Sequence, residues 1–232
     1  MWAPTRMRQL PEIWLLGSLF LIAGLLLIFI FIAQDVFEGE TAAFDRGVIL
    51  AFRSAGNIAD PVGPPWVEEA VRDITALGSI IVVVILSGAV AGYLFLLQKR
   101  GSAALLLISV AGGTALNDLL KYFFDRPRPD LVLHGAQVFT SSFPSGHAAV
   151  SAVVYLTLGA LLARDAPSIA VKIFVMAVAI FLVFLIGASR VFLGLHYPTD
   201  VLAGWCIGSA WAVICWLAAG RLPLSPAATT RR

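Results

Sequence analysis

The chain has 232 residues, 59% of them apolar and 13% charged, with a formal net charge of +2. Soluble domains carry about a quarter charged residues, so the composition excludes an ordinary soluble enzyme. The near-neutral balance offers no basic surface for nucleic acid. The apolar residues come in blocks near the ~20 that a helix needs to cross the hydrocarbon core of a bilayer, and the lipid bilayer is the expected surrounding.

A short basic N-terminus with Arg6 and Arg8 precedes a first span over roughly 13–33. This run is too long for a signal-peptide core and no small-residue cleavage site follows it, so it reads as a retained span. Residues 34–73 form the one long polar segment, an extracytoplasmic loop. Within it, 44–53 suits an amphipathic helix lying in the membrane interface, Asp60 to Pro65 breaks it, and 66–72 suits a second short helix. Further spans are expected over roughly 74–97, 102–120, 145–163, 169–188 and 198–219. The 98–101 and 164–168 segments are short turns, and Gly112-Gly113 would let a neighbouring helix come close. The basic, proline-containing tail over 221–232 reads as a disordered cytoplasmic tail. Cys206 and Cys215 are nine residues apart in one helix, about 13 Å, too far for a disulfide. The expected fold is therefore all-α: a single polytopic membrane domain over 1–232, a bundle of six transmembrane helices with short interfacial helices in the first loop.

Six spans place both termini on one side. That side carries nine cations (Arg6, Arg8, Lys99, Arg100, Arg164, Lys172, Arg221, Arg231, Arg232) against Glu12 and Asp165; the other carries seven cations against twelve acids. Positive charge is retained in the cytoplasm, so the termini are expected there. Three polar breaks then share the opposite face: Lys121 to Pro129, Pro144 to His147, and Ser189 to Asp200.

These breaks carry the chemistry. Lys121, Arg128 and Arg190 sit at membrane depth or its edge, where a cation costs a few kcal/mol and usually faces a polar cavity. Arginine forks match phosphate oxygens, and lysine adds a point charge. The plainer alternative is a set of anchors snorkelling to headgroups; Arg126 in particular is expected only to contact headgroups. Ser145 can cap the fourth span, Gly146 admits a ligand close to the backbone, and the N–H groups of both lie at a helix N-terminus that favours an anion. His147 places a general acid in that first turn. His196 and Asp200 are four apart, so the carboxylate can fix the imidazole tautomer and leave the other ring nitrogen as a nucleophile. An isolated pair at this spacing would read as an interface histidine and a helix-start acid; Ser189-Arg190 just upstream tips it toward a site. His134 matches nothing and reads as a loop residue. Together the groups describe phosphoryl transfer: the cations bind a phosphate, His196 attacks phosphorus at the membrane edge, and His147 protonates the leaving oxygen. No carboxylate cluster suggests a metal, so no metal and no cofactor are expected.

The three motifs, Lys121 with Arg128-Pro129, Pro144-Ser145-Gly146-His147, and Ser189-Arg190 with His196 and Asp200, resemble the type 2 phosphatidic acid phosphatase family, whose site is shared with vanadium haloperoxidases. Every position of the family pattern is matched, from the third span to the sixth. The resemblance implies a six-helix bundle with its site on the outer membrane face. It implies phosphate binding by Lys121, Arg128, Ser145, Gly146 and Arg190, with His196 as nucleophile, His147 as acid and base, and Asp200 as the orienting acid. The expected partner is a phosphorylated membrane lipid: undecaprenyl diphosphate, phosphatidylglycerol phosphate, phosphatidic acid or a lipid A phosphate. The expected place is a bacterial inner membrane with the site facing the periplasm. The motifs read only the phosphoryl group and leave the lipid open, and oligomeric state is not legible. Two alternatives stand: a lipid phosphotransferase using the same residues, and a non-enzymatic transporter or anion-binding protein. The second is disfavoured by the apolar middles of the first, second and fifth spans.

Overall fold

In lipid a backbone has to satisfy its polar groups internally, which favours helices. The computed structural model describes residues 6–130 and 141–221, and they are almost wholly helical. In order they form α1 (Arg6–Glu38), α2 (Ala42–Ala51), α3 (Pro65–Ala76), α4 (Ile80–Leu96), α5 (Arg100–Phe124), α6 (Gly146–Arg164), α7 (Ile169–Phe192) and α8 (Pro198–Arg221). A small antiparallel hairpin, β1 (Arg53–Ser54) and β2 (Asn57–Pro61), joins α2 to α3. Five of the described helices are long and apolar enough to cross a membrane, or six when α3 and α4 together make one bent span. His134 and residues 222–232 of the tail lie outside the described residues.

The second span, expected as one run over 74–97, is broken. α3 and α4 meet at 47° across Leu77, Gly78 and Ser79. The Tyr155 hydroxyl donates to the Leu77 carbonyl at 2.9 Å, satisfying an acceptor that the break releases. Ser79 then caps α4 by accepting from the Val82 N–H. The helix expected over 44–53 is α2, two residues earlier, and Arg53 already belongs to the hairpin.

α6 and α8 form the centre. α6 packs on α5, α7 and α8, and α8 also packs on α1. Glycines set the close approach of the central pair: a Cβ on Gly204 would lie 2.7 Å from the Ser145 carbonyl oxygen, and one on Gly208 would collide with the Ala149 carbonyl oxygen. Small residues four apart allow such contact, which in a membrane replaces the hydrophobic effect as the source of helix association. Gly112 and Gly113 act similarly on α5, under Trp211 and Val153, as their sequence suggests. Cys206 and Cys215 are both buried and unbridged. Near the end of α5, Phe124, Phe29 and Phe143 cluster edge-on and tilted, with Phe143 fully buried and its ring centroid 4.7 Å from that of Phe124. This cluster pins the segment entering α6 against α1 and α5.

Candidate active site

α5 ends because Asp125 turns left-handed (φ 34°) and is followed by Arg126-Pro127-Arg128-Pro129, which cannot continue a helix. The segment is stitched to the one preceding α6. Ser142 N–H donates to the Arg126 carbonyl at 2.8 Å, and the Ser142 hydroxyl donates to the Pro127 carbonyl at 3.0 Å. The start of α6 is fastened to α8 by Ser145 N–H donating to the Asp200 carbonyl at 2.9 Å. These links bring the three polar breaks to one end of the bundle.

There a cavity of about 400 Å³ is lined by Lys121, Arg128, Gly146, His147, Arg190 and His196, with Gly78, Ile80, Thr114, Asn117, Asp118 and Val150. Six of the eight residues expected in the site thus share one cavity. The other two, Ser145 and Asp200, are fully buried behind it.

His196 is not at an open membrane edge, as expected; it is 2% exposed. Arg128 Nη1 stands 3.1 Å from its Nε2 and also donates to the Leu195 carbonyl at 3.0 Å. A guanidinium nitrogen can only donate, so Nε2 accepts and the ring proton belongs on Nδ1. That nitrogen faces Asp200 Oδ2 at 3.4 Å, and the same oxygen accepts from Tyr197 N–H at 2.9 Å. Burial pushes the His196 pKa down to about 3, against the upward pull of Asp200. The ring is therefore neutral near pH 7, with its Nε2 lone pair directed to the cavity side where Arg128 stands.

Two details differ from expectation at the α6 terminus. Ser145 sits at the N-cap, but its hydroxyl makes no cap bond, and its Oγ is buried without a partner among the described residues. Its N–H is committed to Asp200, so the donors left to face an anion are those of the first helical turn from Gly146 onward. Space at Gly146 is tight: a Cβ there would lie 3.3 Å from Asn117 Nδ2, which would have to shift by a few tenths of an ångström. Arg190 donates to Thr75 Oγ1 at 3.1 Å, while its Nε is buried with no partner among the described residues.

Arg126 is the largest correction. It does not face headgroups. It is 13% exposed and bridges two fully buried carboxylates, Asp200 at 2.6 Å and Asp45 at 2.8 Å. It also donates to Thr199 Oγ1 and lies over the Tyr197 ring, 4.3 Å from its centroid. Burial alone would lower its pKa; the two carboxylates outweigh that and the net shift is upward.

Sequence reasoning missed Thr75, Gly78, Asn117, Asp118, Asp45 and Thr199. A signal existed for part of this set. Thr114, Asn117, Asp118 and Lys121 recur at helical spacing on one face of an apolar helix. For Asp45 there was none, since its partners lie 81 and 154 positions away.

Comparison with known proteins agrees with this architecture. Residues 102–223 match the family model described as PAP2 superfamily. The chain is 30% identical over 188 residues to phosphatidylglycerophosphatase B of Bacillus subtilis (strain 168), covering 80% of this chain and 88% of that protein. It is 32% identical over 140 residues to a lipid A 1-phosphatase of Rhizobium johnstonii, spanning about half of each chain (52% and 52%). The crystal structure of the transmembrane PAP2-type phosphatidylglycerolphosphate phosphatase from Bacillus subtilis superposes with a TM-score of 0.77 at 27% identity, over 87% of this chain and 96% of that one. With these matches spanning the helices that build the cavity, the chain belongs to the PAP2 superfamily of membrane phosphatases.

Proposed function

We propose that the protein hydrolyses the terminal phosphate of a phosphorylated glycerolipid, with phosphatidylglycerol phosphate as the first candidate, through a phosphohistidine intermediate. What carries the substrate half is the likeness to a phosphatidylglycerophosphatase along 88% of that protein's length. What carries the mechanistic half is a neutral, Nδ1-protonated His196 whose Nε2 meets a cavity rimmed by Lys121, Arg128 and Arg190.

The phosphoryl group sits among those cations and the first N–H groups of α6, where positive charge and the helix dipole offset its own charge. The Ser145 hydroxyl, buried and without a partner among the described residues, supplies one more donor. His196 Nε2 attacks phosphorus in line as the bond to the lipid oxygen breaks. His147, in the first turn of α6, is held as the imidazolium by the negative charge of the bound phosphate and gives its proton to that oxygen. Asp200 holds the Nδ1 proton and balances the charge that the ring gains on phosphorylation. Water deprotonated by His147 then attacks the phosphohistidine, releasing inorganic phosphate and restoring neutral His196. Most of the rate comes from fixed charges around the equatorial oxygens rather than from covalent chemistry.

On the charge count, the cavity faces away from the cytoplasm and the lipid approaches from the outer leaflet. The test is inorganic phosphate release by purified protein in detergent with EDTA present. The panel is phosphatidylglycerol phosphate, phosphatidic acid, undecaprenyl diphosphate and a lipid A phosphate. Release from phosphatidylglycerol phosphate at the highest kcat/KM is expected. Preference for another member overturns the substrate assignment and keeps the chemistry. No release from any member, with transfer to an added acceptor lipid, would instead establish a phosphotransferase.

A further inference from the structure

The first loop contributes a buried carboxylate to the site end of the bundle, and nothing in the reaction above uses it. Asp45 lies on α2 and is fully buried. Its Oδ1 accepts from Thr199 N–H at 3.1 Å, and its Oδ2 accepts from Thr199 Oγ1 at 2.7 Å and from Arg126 at 2.8 Å. Arg126 in turn donates to Asp200 Oδ1 at 2.6 Å. The other Asp200 oxygen is the one that faces His196 Nδ1 and Tyr197 N–H. We infer that Asp45 and Arg126 are positioning residues for the nucleophile, acting through Asp200.

Two physical consequences follow from that geometry. The first is orientation. Asp45 holds both the α8 N-terminus, through Thr199, and the guanidinium that grips Asp200 from behind. Asp200 therefore has one oxygen fixed by Arg126 and only the other free to receive the imidazole N–H. The second is charge. A lone Arg126–Asp200 pair would be neutral, and Asp200 would offer little to a ring that becomes positive on phosphorylation. With Asp45 the three groups carry one net negative charge in a buried setting, where Coulomb interactions are stronger than in water. Arg126 is shared between two acids, and Asp200 keeps more of its charge for His196.

This inference rests on His196 being the nucleophile and Asp200 its orienting acid. The experiment is a double-mutant cycle of Asp45→Asn and Asp200→Asn in the full-length protein in detergent. Phosphatidylglycerol phosphate and p-nitrophenyl phosphate are the substrates, and Tm is measured on every variant. The amide oxygen at position 45 can still accept from Thr199, so the α8 start is retained. Asp45→Asn alone is expected to lower kcat by about 10–100-fold, by analogy with loss of the outer partners that orient metal-ligating histidines, with KM nearly unchanged. In the Asp200→Asn background the same change should cost less than about twofold, because its route to the ring is already cut. An equal loss in both backgrounds, a loss confined to KM, or no loss at all overturns the inference. Full activity in Asp200→Asn would overturn the underlying reading instead. If Asp45→Asn does not purify, Arg126→Lys takes its place in the same cycle: it keeps the charge but not the fork that grips both acids, so a loss of kcat that shrinks in the Asp200→Asn background is again expected, and an equal loss in both backgrounds or none overturns the inference.

Discussion

α6 and α8 differ from α1 and α7 in a way that hydropathy alone would misreport. About half of each central span is buried inside the protein, 56% for α6 and 50% for α8, against 6% for α1 and 17% for α7. Yet α1 and α7 are the more apolar helices. In water the most apolar helix would be the most buried; in a bilayer the lipid-facing helices need the apolar surface, and the central ones need small residues for close packing. The central pair also carries groups of the proposed site, with the Gly146 and His147 turn at the start of α6 and Asp200 in the first turn of α8. The histidine and aspartate proposed for catalysis thus sit at the closely packed centre of the bundle, while α7 adds only Arg190, at its end, to the cavity.

The sharpest test of that division is His196→Gln. The ring is buried, so a side chain of similar volume is preferable to alanine, and the change should abolish phosphate release while leaving the Tm in detergent within a few degrees. Residual activity above about a thousandth of the parent would remove His196 as nucleophile, since losing a nucleophile costs several orders of magnitude.

The next effect is on stability. Gly208→Ala would drive a methyl group into the backbone of Ala149. Overpacking of this kind costs about 1–3 kcal/mol, and here the obstacle is backbone, which yields less than a side chain. Gly24→Ala in α1 meets nothing within 4 Å and should shift stability by no more than about 0.5 kcal/mol. Similar Tm values for the two variants would mean that α6 and α8 are not held at this close distance, and the contrast between central and lipid-facing helices would fail.

The spans and the cations and histidines of the cavity lining were legible in the sequence for a simple reason. A run of apolar residues has one reading in lipid, and a cation at membrane depth requires a partner. Lys121, Arg128, Arg190, His147 and His196 stood out against that background and do share a cavity. Legibility failed where a residue's role depends on something distant in the chain. Arg126 looked like a headgroup anchor because nothing local marks Asp45 as its partner. The bend at Gly78 was hidden because glycine and serine are tolerated in membrane helices, so 74–97 read as continuous. The Ser145 N–H looked free because its acceptor, the Asp200 carbonyl, belongs to another helix.

The smallest expected effect lies at the opposite end of the bundle. Lys99, in the turn between α4 and α5, pairs with Asp165, in the turn between α6 and α7. Both side chains are largely in solvent, 47% and 60% exposed, against 13% and 0% for Arg126 and its acids. An exposed pair gives up little on removal, because water replaces the partner and salt screens what attraction there is. Lys99→Ala should therefore cost about 0.2–1 kcal/mol, less at 0.5 M NaCl than at low salt, and leave kcat unchanged. A loss of several kcal/mol would show this turn-to-turn contact to be a structural clasp, and the two ends of the bundle would then be alike in using charge to hold helices together. A salt-sensitive loss of a few tenths would leave the buried end alone in that role, with its charges kept where the phosphoryl group and the imidazole need them.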